Sequence, residues 1–292
     1  MPETKNSAHL PPPLPPCRLY ALLAREAAVG VIFRRGPSNW VQIIHWDTDS
    51  DTFTSGQWFR GRIYEKLSDV SPDGKFLLYS ARKSTTRAMK NEAYTDYWTA
   101  ISKPPYLTAL ALWPCQSSVG GGLFLNDTQV WLNFYGRPVP HPAHKPKGMI
   151  VVSSGKDLLQ EALNMRRLAR DGWRHVQEWQ GTKTEHGYVT HTPGMLEKPH
   201  VDQKLTLVMT TTFKSFEHRH SYQVRCAEGE RVYLPRAEWA GWDRQGRLVY
   251  AQNGRIFAQA AELIGQQPAR ELINLSENTF EPLEAPEWAK TW

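Results

Sequence analysis

The sequence is poor in the features that most directly name a function. Its three cysteines, Cys17, Cys115 and Cys226, are odd in number and far apart. They make a poor disulfide framework and suit a reducing compartment. No uncharged apolar run approaches the roughly 18 residues that a membrane-spanning helix needs. The longest candidate, YLTALALWP, is strand-sized, so the expectation is a soluble protein with no membrane partner. Residues 1–16 contain neither the basic start nor the apolar stretch of a secretory signal, so the expectation is a cytoplasmic protein.

Catalytic signatures are equally scarce. Gly155-Lys156 follows the apolar MIVVSS, but Asp157 stands where a phosphate-binding loop needs a hydroxyl residue. There is no G-x-S-x-G elbow, and none of the cysteines lies in a context that marks a nucleophile. Asp47, Asp49 and Asp51 alternate as the start of a calcium loop would. Thr52 and Trp58, however, occupy the places that need Gly and Glu, so the segment reads as a turn between strands. The catalytic residues are therefore unknown, and no cofactor is implied.

What the chain does have is aromatic residues and turn chemistry. Twelve Trp, eleven Tyr and ten Phe favour strands and packed sheet faces. The Pro-rich start predicts a disordered, polyproline-like tail over residues 1–17, a possible ligand for a Pro-binding module but more simply a spacer, followed by one domain over 18–292. RLYALLARE, AVGVIFRR, NWVQIIHW and DTFTSGQWF read as four strands separated by turns. A second unit carries DVSPDGKFLLYSARK. A third reads YLTALALWP, then Gly120 to Gly122, then LFLNDTQVWLNF. A looser fourth takes GWRHVQEWQ, LTLVMTTTF and HSYQVRC, and a last one takes AEWAGWDRQGRLVYAQNGRIFAQ with its Asn253-Gly254 hairpin turn. Gly30, Gly74 and Gly122 lie 44 and 48 residues apart, near the period of a propeller blade. Gly122-Leu123-Phe124-Leu125 also matches Gly246-Arg247-Leu248-Val249-Tyr250 in spacing. Lys156 to Arg170 alone has helical apolar spacing, with Ser154 or Asp157 as cap and Asp171-Gly172 as stop. It predicts one surface helix inserted between blades.

Ser71-Pro72-Asp73-Gly74-Lys75 before Phe76-Leu77-Leu78-Tyr79 resembles the repeat hairpin of TolB-like and WD-type β-propellers. Asp243 to Tyr250 resembles a degenerate copy. The resemblance implies an all-β fold, a β-propeller of about five degenerate blades. It implies no activity, because propellers host binding and catalysis alike.

The candidate sites are few. Arg82, Lys83, Arg87 and Lys90 beside Tyr94, Tyr97 and Trp98 offer a basic and aromatic surface for a protein partner or for single-stranded nucleic acid, with blade core as the competing role of the aromatics. His218 and His220 alternate on one strand, and His186 and His191 lie in EHGYVTH. These four could be metal ligands with Glu185 or Glu217, but surface histidines account for them as well, and His141 and His144 in a Pro-rich loop carry less weight. The 35 basic and 29 acidic residues give a net charge of +6, which permits polyanionic partners without demanding them. The expectation is a non-enzymatic protein-interaction scaffold. The alternatives are an enzyme with a His and carboxylate site, or a nucleic-acid binder.

Overall fold

The computed structural model describes residues 17–292 apart from 38, 85–93, 116–119, 156–157, 179, 184–188 and 215–216. About half of the described chain is strand, arranged in five principal sheets, none of which closes on itself. Sheet one takes β1 (Arg18–Leu23), β2 (Val29–Arg35), β3 (Trp40–Asp47) and β4 (Thr52–Arg60) as an antiparallel meander in chain order. These are the four strands read from the sequence. Sheet two holds β5 (Arg62–Ile63) and β6 (Asp69–Val70) along one edge of β7 (Leu77–Arg82), then β8 (Tyr97–Ser102) and β9 (Ala111–Cys115). The apolar run ending in Trp113 is thus the outer strand of sheet two, not the first strand of a third unit. Its partner is β8, with Thr99 opposite Trp113.

Sheet three is small: β10 (Gly122–Asn126) pairs antiparallel with β11 (Gln129–Tyr135), and β12 (Ile150–Gly155) adds parallel to β11. The helix α1 (Gln160–Arg170) follows. Sheet four contains β13 (Arg174–Gln177), and a separate hairpin of β14 (Gln180–Lys183) and β15 (Val189–Thr192) leads to β16 (Gly194–Pro199), β17 (Leu205–Lys214), β18 (Glu217–Cys226) and β19 (Arg231–Leu234). Sheet five is a second meander of β20 (Ala237–Trp242), β21 (Leu248–Gln252), β22 (Arg255–Gln259) and β23 (Arg270–Asn274). Among the described residues, no helix is long and apolar enough to cross a membrane.

Packing explains the near-continuous apolar strands. In β2, Val31 and Phe33 face sheet two, where Leu77 and Tyr79 meet them, while Ile32 faces Val249 and Ile256 of sheet five. A strand buried on both faces loses the polar alternation of a half-exposed one. A second core joins Leu78 and Trp113 of sheet two to Phe124 and Leu132 of sheet three. A third joins Leu196 and Val224 of sheet four to Trp242 and Leu248 of sheet five. The sheets therefore pack in the series three, two, one, five, four. The helix bridges its ends, with Leu163 against Leu67 and Leu123, and Met165 and Leu168 against the core of sheets four and five.

The helix is a surface element with one face buried, Ala162, Arg166 and Ala169 being exposed. Leu163, Asn164 and Arg167 are fully buried, and the first helical residue follows Leu159 without a side-chain cap. The apolar period correctly indicated amphipathicity, but the burial of the polar Asn164 and Arg167 was hidden, because hydrogen bonding and not hydrophobicity carries it. The stop at Asp171-Gly172 is as expected: the Trp173 amide donates to the Leu168 carbonyl at 2.9 Å. Cys17, read as part of the tail, belongs to the core and donates its Sγ hydrogen to the Leu275 carbonyl. After β23 the chain crosses back over sheets one and two. Phe280 stacks on Trp40 at 4.5 Å, while Trp288 meets Tyr106 and Trp292 meets Phe76. The two terminal tryptophans thus lie against sheet two and its β8–β9 connection.

The turns that suggested repetition share a geometry. Gly74 and Gly246 both adopt φ of +76°, and each amide donates three residues back, to the carbonyls of Ser71 and Asp243. The first turn links β6 to β7 in sheet two, and the second links β20 to β21 in sheet five. At Gly74 a side chain would also collide, because a Cβ would sit 2.7 Å from Val29 Cβ. Gly74→Ala is therefore expected to destabilise by about 1–3 kcal/mol, from backbone strain and displacement of Val29. Chemical denaturation checks this: a loss near zero would mean that the turn relaxes freely.

Candidate binding site

Strands β1, β20 and β18, the start of sheet two and helix α1 face one another around an interior axis. Three cavities follow that axis, and Tyr20 lines all of them. The middle one is only about 40 Å³, while the ends open into cavities of about 740 and 420 Å³. Tyr20 is held between the ends by a hydrogen bond from Arg167. Burial raises its hydroxyl pKa above the usual tyrosine value, against the opposing charge of Arg167.

The larger mouth is rich in arginine. Arg18 from β1, Arg62 from β5, Arg219 from β18 and Arg236 from the turn before β20 are exposed around it. Among the described residues, none of these four has a carboxylate within ion-pair distance. Two further cations are paired, Arg35 with Glu65 at 2.9 Å and Lys66 with Glu161 at 3.3 Å. The remaining acid, Glu238, accepts the Leu19 amide at 2.7 Å, and burial raises its carboxyl pKa despite that bond and the charge of Arg18. Strand register adds to the crowding. Arg18 lies directly opposite Arg35, and Arg62 directly opposite Arg82. Like charges at directly opposed positions destabilise a sheet.

Arg82 and Tyr97, two of the residues singled out from sequence, join this mouth through Arg62. The Arg62 guanidinium lies over the Tyr64 ring at 4.8 Å and that of Arg82 over Tyr97 at 4.6 Å, while the two tyrosines stack at 6.4 Å. Arg82 Nε also comes within 3.5 Å of Asp96, too poorly aligned for a hydrogen bond. The remaining sequence candidates disperse. Trp98 points to the opposite face, edge-on to Phe59 against the core of sheets one and two. Lys83 is exposed, with its amide on the Asp96 carbonyl. Tyr94 stacks on His141 at 4.1 Å, with His144 beside them. Arg87 and Lys90 lie outside the described residues.

Of the histidines, His220 reaches the mouth. Its Nε2 lies 3.2 Å from Lys66 Nζ and its Nδ1 2.9 Å from Thr211 Oγ1. The ring thus belongs to a chain running through Lys66 to Glu161. His218 is opposite Phe213 in β18, and His191 opposite Gly181 in the β14–β15 hairpin. His186 lies outside the described residues. Among the described residues, no three His, Cys, Asp or Glu side chains are grouped as a metal site would require.

Sequence reasoning missed Arg18, Arg62, Arg219 and Arg236, which are scattered over more than two hundred positions. One signal was available: Arg18, Arg35, Arg62 and Arg82 each begin or end a strand. Strand ends in a layered β protein gather at its rims.

No family model matches the sequence, and no curated protein matches it. Among solved structures, hydrazine synthase of Kuenenia stuttgartiensis is similar at a TM-score of 0.29 and 11% identity, covering 91% of this chain and 84% of that one. A likeness that weak carries no argument about fold or chemistry.

Proposed function

We propose that this chain is a non-enzymatic interaction module, a propeller-like ring of five sheets whose arginine-rich mouth takes an acidic segment of a protein partner. The carrying observation is the convergence of Arg18, Arg62, Arg219 and Arg236 on one concave surface without carboxylate partners among the described residues. Uncompensated like charges repel one another, and an anionic partner relieves that cost. The propeller reading is supported by the order of sheet packing and by the shared axis that the first strands of sheets one and five line. Arginine also suits carboxylates geometrically, since its planar fork binds them through two parallel hydrogen bonds.

The aromatic residues favour a protein over single-stranded nucleic acid. Nucleic-acid platforms need free ring faces on which bases stack. Here the Tyr64 and Tyr97 faces are already engaged by Arg62, Arg82 and each other.

The test is fluorescence anisotropy with an oligoglutamate peptide and a mixed-sequence single-stranded oligonucleotide, at low and moderate salt. The peptide should bind and weaken with salt. Changing Arg18, Arg62, Arg219 and Arg236 together to Gln should reduce its affinity by at least about tenfold, equivalent to about 1.4 kcal/mol. Because the four side chains are exposed, thermal stability should hold or rise. Tighter binding of the oligonucleotide would transfer the mouth to nucleic acid, and peptide affinity unchanged in the variant would remove the mouth from the function.

A further inference from the structure

The opposite end of the axis carries a second and chemically different site. Its cavity of about 420 Å³ has the size of small-molecule pockets. It is lined by side chains from β1 and the segment after it, β6, the end of α1, β16 and β20 with its following turn.

The charges in this cavity can be sorted one by one. Asp69 is fully committed: it holds Arg170 through two bonds of 2.6 and 2.9 Å and accepts the Phe124 amide at 2.7 Å. Asp171 accepts from Arg170 Nε at 2.9 Å, and Asp243 accepts from both the amide and Nε of Arg247 at 2.8 Å. The Arg167 guanidinium is satisfied by Tyr20, Asn164 and the carbonyls of Glu65 and Ser68. Three cations remain. The Lys198 ammonium has no hydrogen-bond or ion-pair partner among the described residues, and the residue is half-buried, with its carbonyl accepting the Trp242 Nε1 hydrogen at 3.0 Å. Arg25 donates only from Nη2, to the Phe124 carbonyl at 3.2 Å, and its buried Nε has no partner. Arg244 donates only to the Arg25 carbonyl.

A buried donor without a partner is costly, as at Arg25 Nε, and the charges of half-buried Lys198 and exposed Arg244 at the rim add to it. The rest of the wall is apolar and aromatic, with Trp173, Trp239 and Trp242 beside Leu168 and Leu23. Such a wall gains nothing from a bare inorganic ion. It suits a ligand with an apolar body and a compact, multiply charged head.

We propose that this cavity binds a small phosphate monoester, its phosphate held by Lys198, Arg25 and Arg244 and its apolar body laid against the tryptophans. Arginine forks and a lysine point charge together match the oxygens of a phosphate dianion. Burial lowers the Lys198 pKa below the usual lysine value, only partly offset by the charge of Asp171, and a nearby anion would favour its charged form. The proposal is independent of the arginine mouth, since none of its three cations lies there.

Calorimetric titration with phenyl phosphate, followed in parallel by tryptophan fluorescence, tests the site on the full chain. Phenyl phosphate should bind saturably with a dissociation constant below about 1 mM, with inorganic phosphate and benzoate each weaker by at least about tenfold. Lys198→Met and Arg25→Gln should each weaken phenyl phosphate at least about tenfold. Lys198→Met should at the same time melt no lower than the parent chain, because it removes an unpaired charge from a half-buried place. The variant lacking the four arginines of the larger mouth should bind phenyl phosphate unchanged, which separates this site from that one. Absence of saturable binding would overturn the proposal, as would inorganic phosphate binding equally well or affinity preserved in both cavity variants.

Discussion

Replacing Arg167 by methionine should lower the free energy of unfolding by about 3–5 kcal/mol, since it leaves several buried acceptors without a donor at about 1–3 kcal/mol each. Arg167 is 2% exposed and emerges from the only α-helix among the described residues. Its guanidinium donates to the Glu65 carbonyl at 2.9 Å, to Asn164 Oδ1 at 2.8 Å, and to the Ser68 carbonyl and the Tyr20 hydroxyl. One side chain therefore ties α1 to sheet one and to the start of sheet two. Methionine fills much of the volume but leaves those acceptors buried without a donor. Arg166 provides the comparison. It is exposed and covers the Trp131 ring at 5.6 Å, so Arg166→Met should cost less than about 1 kcal/mol. Urea denaturation of both variants checks the contrast, and similar losses would show that the buried network is not what holds the helix.

Arg247→Met should cost about 3–4 kcal/mol at neutral pH, because it leaves two largely buried carboxylates facing one another. Arg247 holds Asp51 through bonds of 2.8 and 2.9 Å, Asp243 at 2.8 Å and the Thr48 carbonyl at 2.8 Å. The hairpin turn of sheet one is thereby fastened to the first turn of sheet five, and Arg270 adds a further contact to Asp51. Burial pushes the Asp51 pKa up, but hydrogen bonds and charge from Arg247 and Arg270 outweigh it and hold the carboxyl below the ordinary aspartate value. A depressed carboxyl pKa stabilises the fold above the pKa of the unfolded chain and stops doing so as pH falls through the folded value. The gap between parent and variant should accordingly narrow in acid, below about pH 4. Unfolding curves at neutral and acid pH test this, and a gap that does not change with pH would place the loss in packing and not in charge.

Much of sheets one and five was legible before any coordinates. Val31, Ile32 and Phe33 run without interruption because both faces of their strand are covered. Turn residues such as Asn253-Gly254 mark reversals through backbone preferences that need no tertiary context. The sequence was less informative where a segment's partner was not its neighbour in a pattern. Ala111 to Cys115 has the composition of any buried strand, and only pairing with β8 assigns it to sheet two. For the same reason β12 gave no sign of joining β11 in parallel.

The site was less legible than the fold. Arg82 and Tyr97 stood out because they lie close to other basic and aromatic residues along the chain, and the same closeness drew in Trp98, which faces the core. Arg18, Arg62, Arg219 and Arg236 are remote from one another in sequence, and the hairpin resemblance at Ser71 to Gly74 concerns turn residues alone.

Local chemistry by itself determined the strand-rich character, the repeated turns, the helix near Arg170 and the surplus of basic residues. Tertiary structure alone decided the order of sheet packing, the burial of Asn164 and Arg167 on one face of the helix, and the gathering of arginines at one end and of Lys198, Arg25 and Arg244 at the other. The physical reason is range. Backbone preference and hydrophobic period act over a few residues and are written into each segment. Charge clusters and cavities arise where segments far apart in the chain meet, and their positions depend on the packing of all of them together.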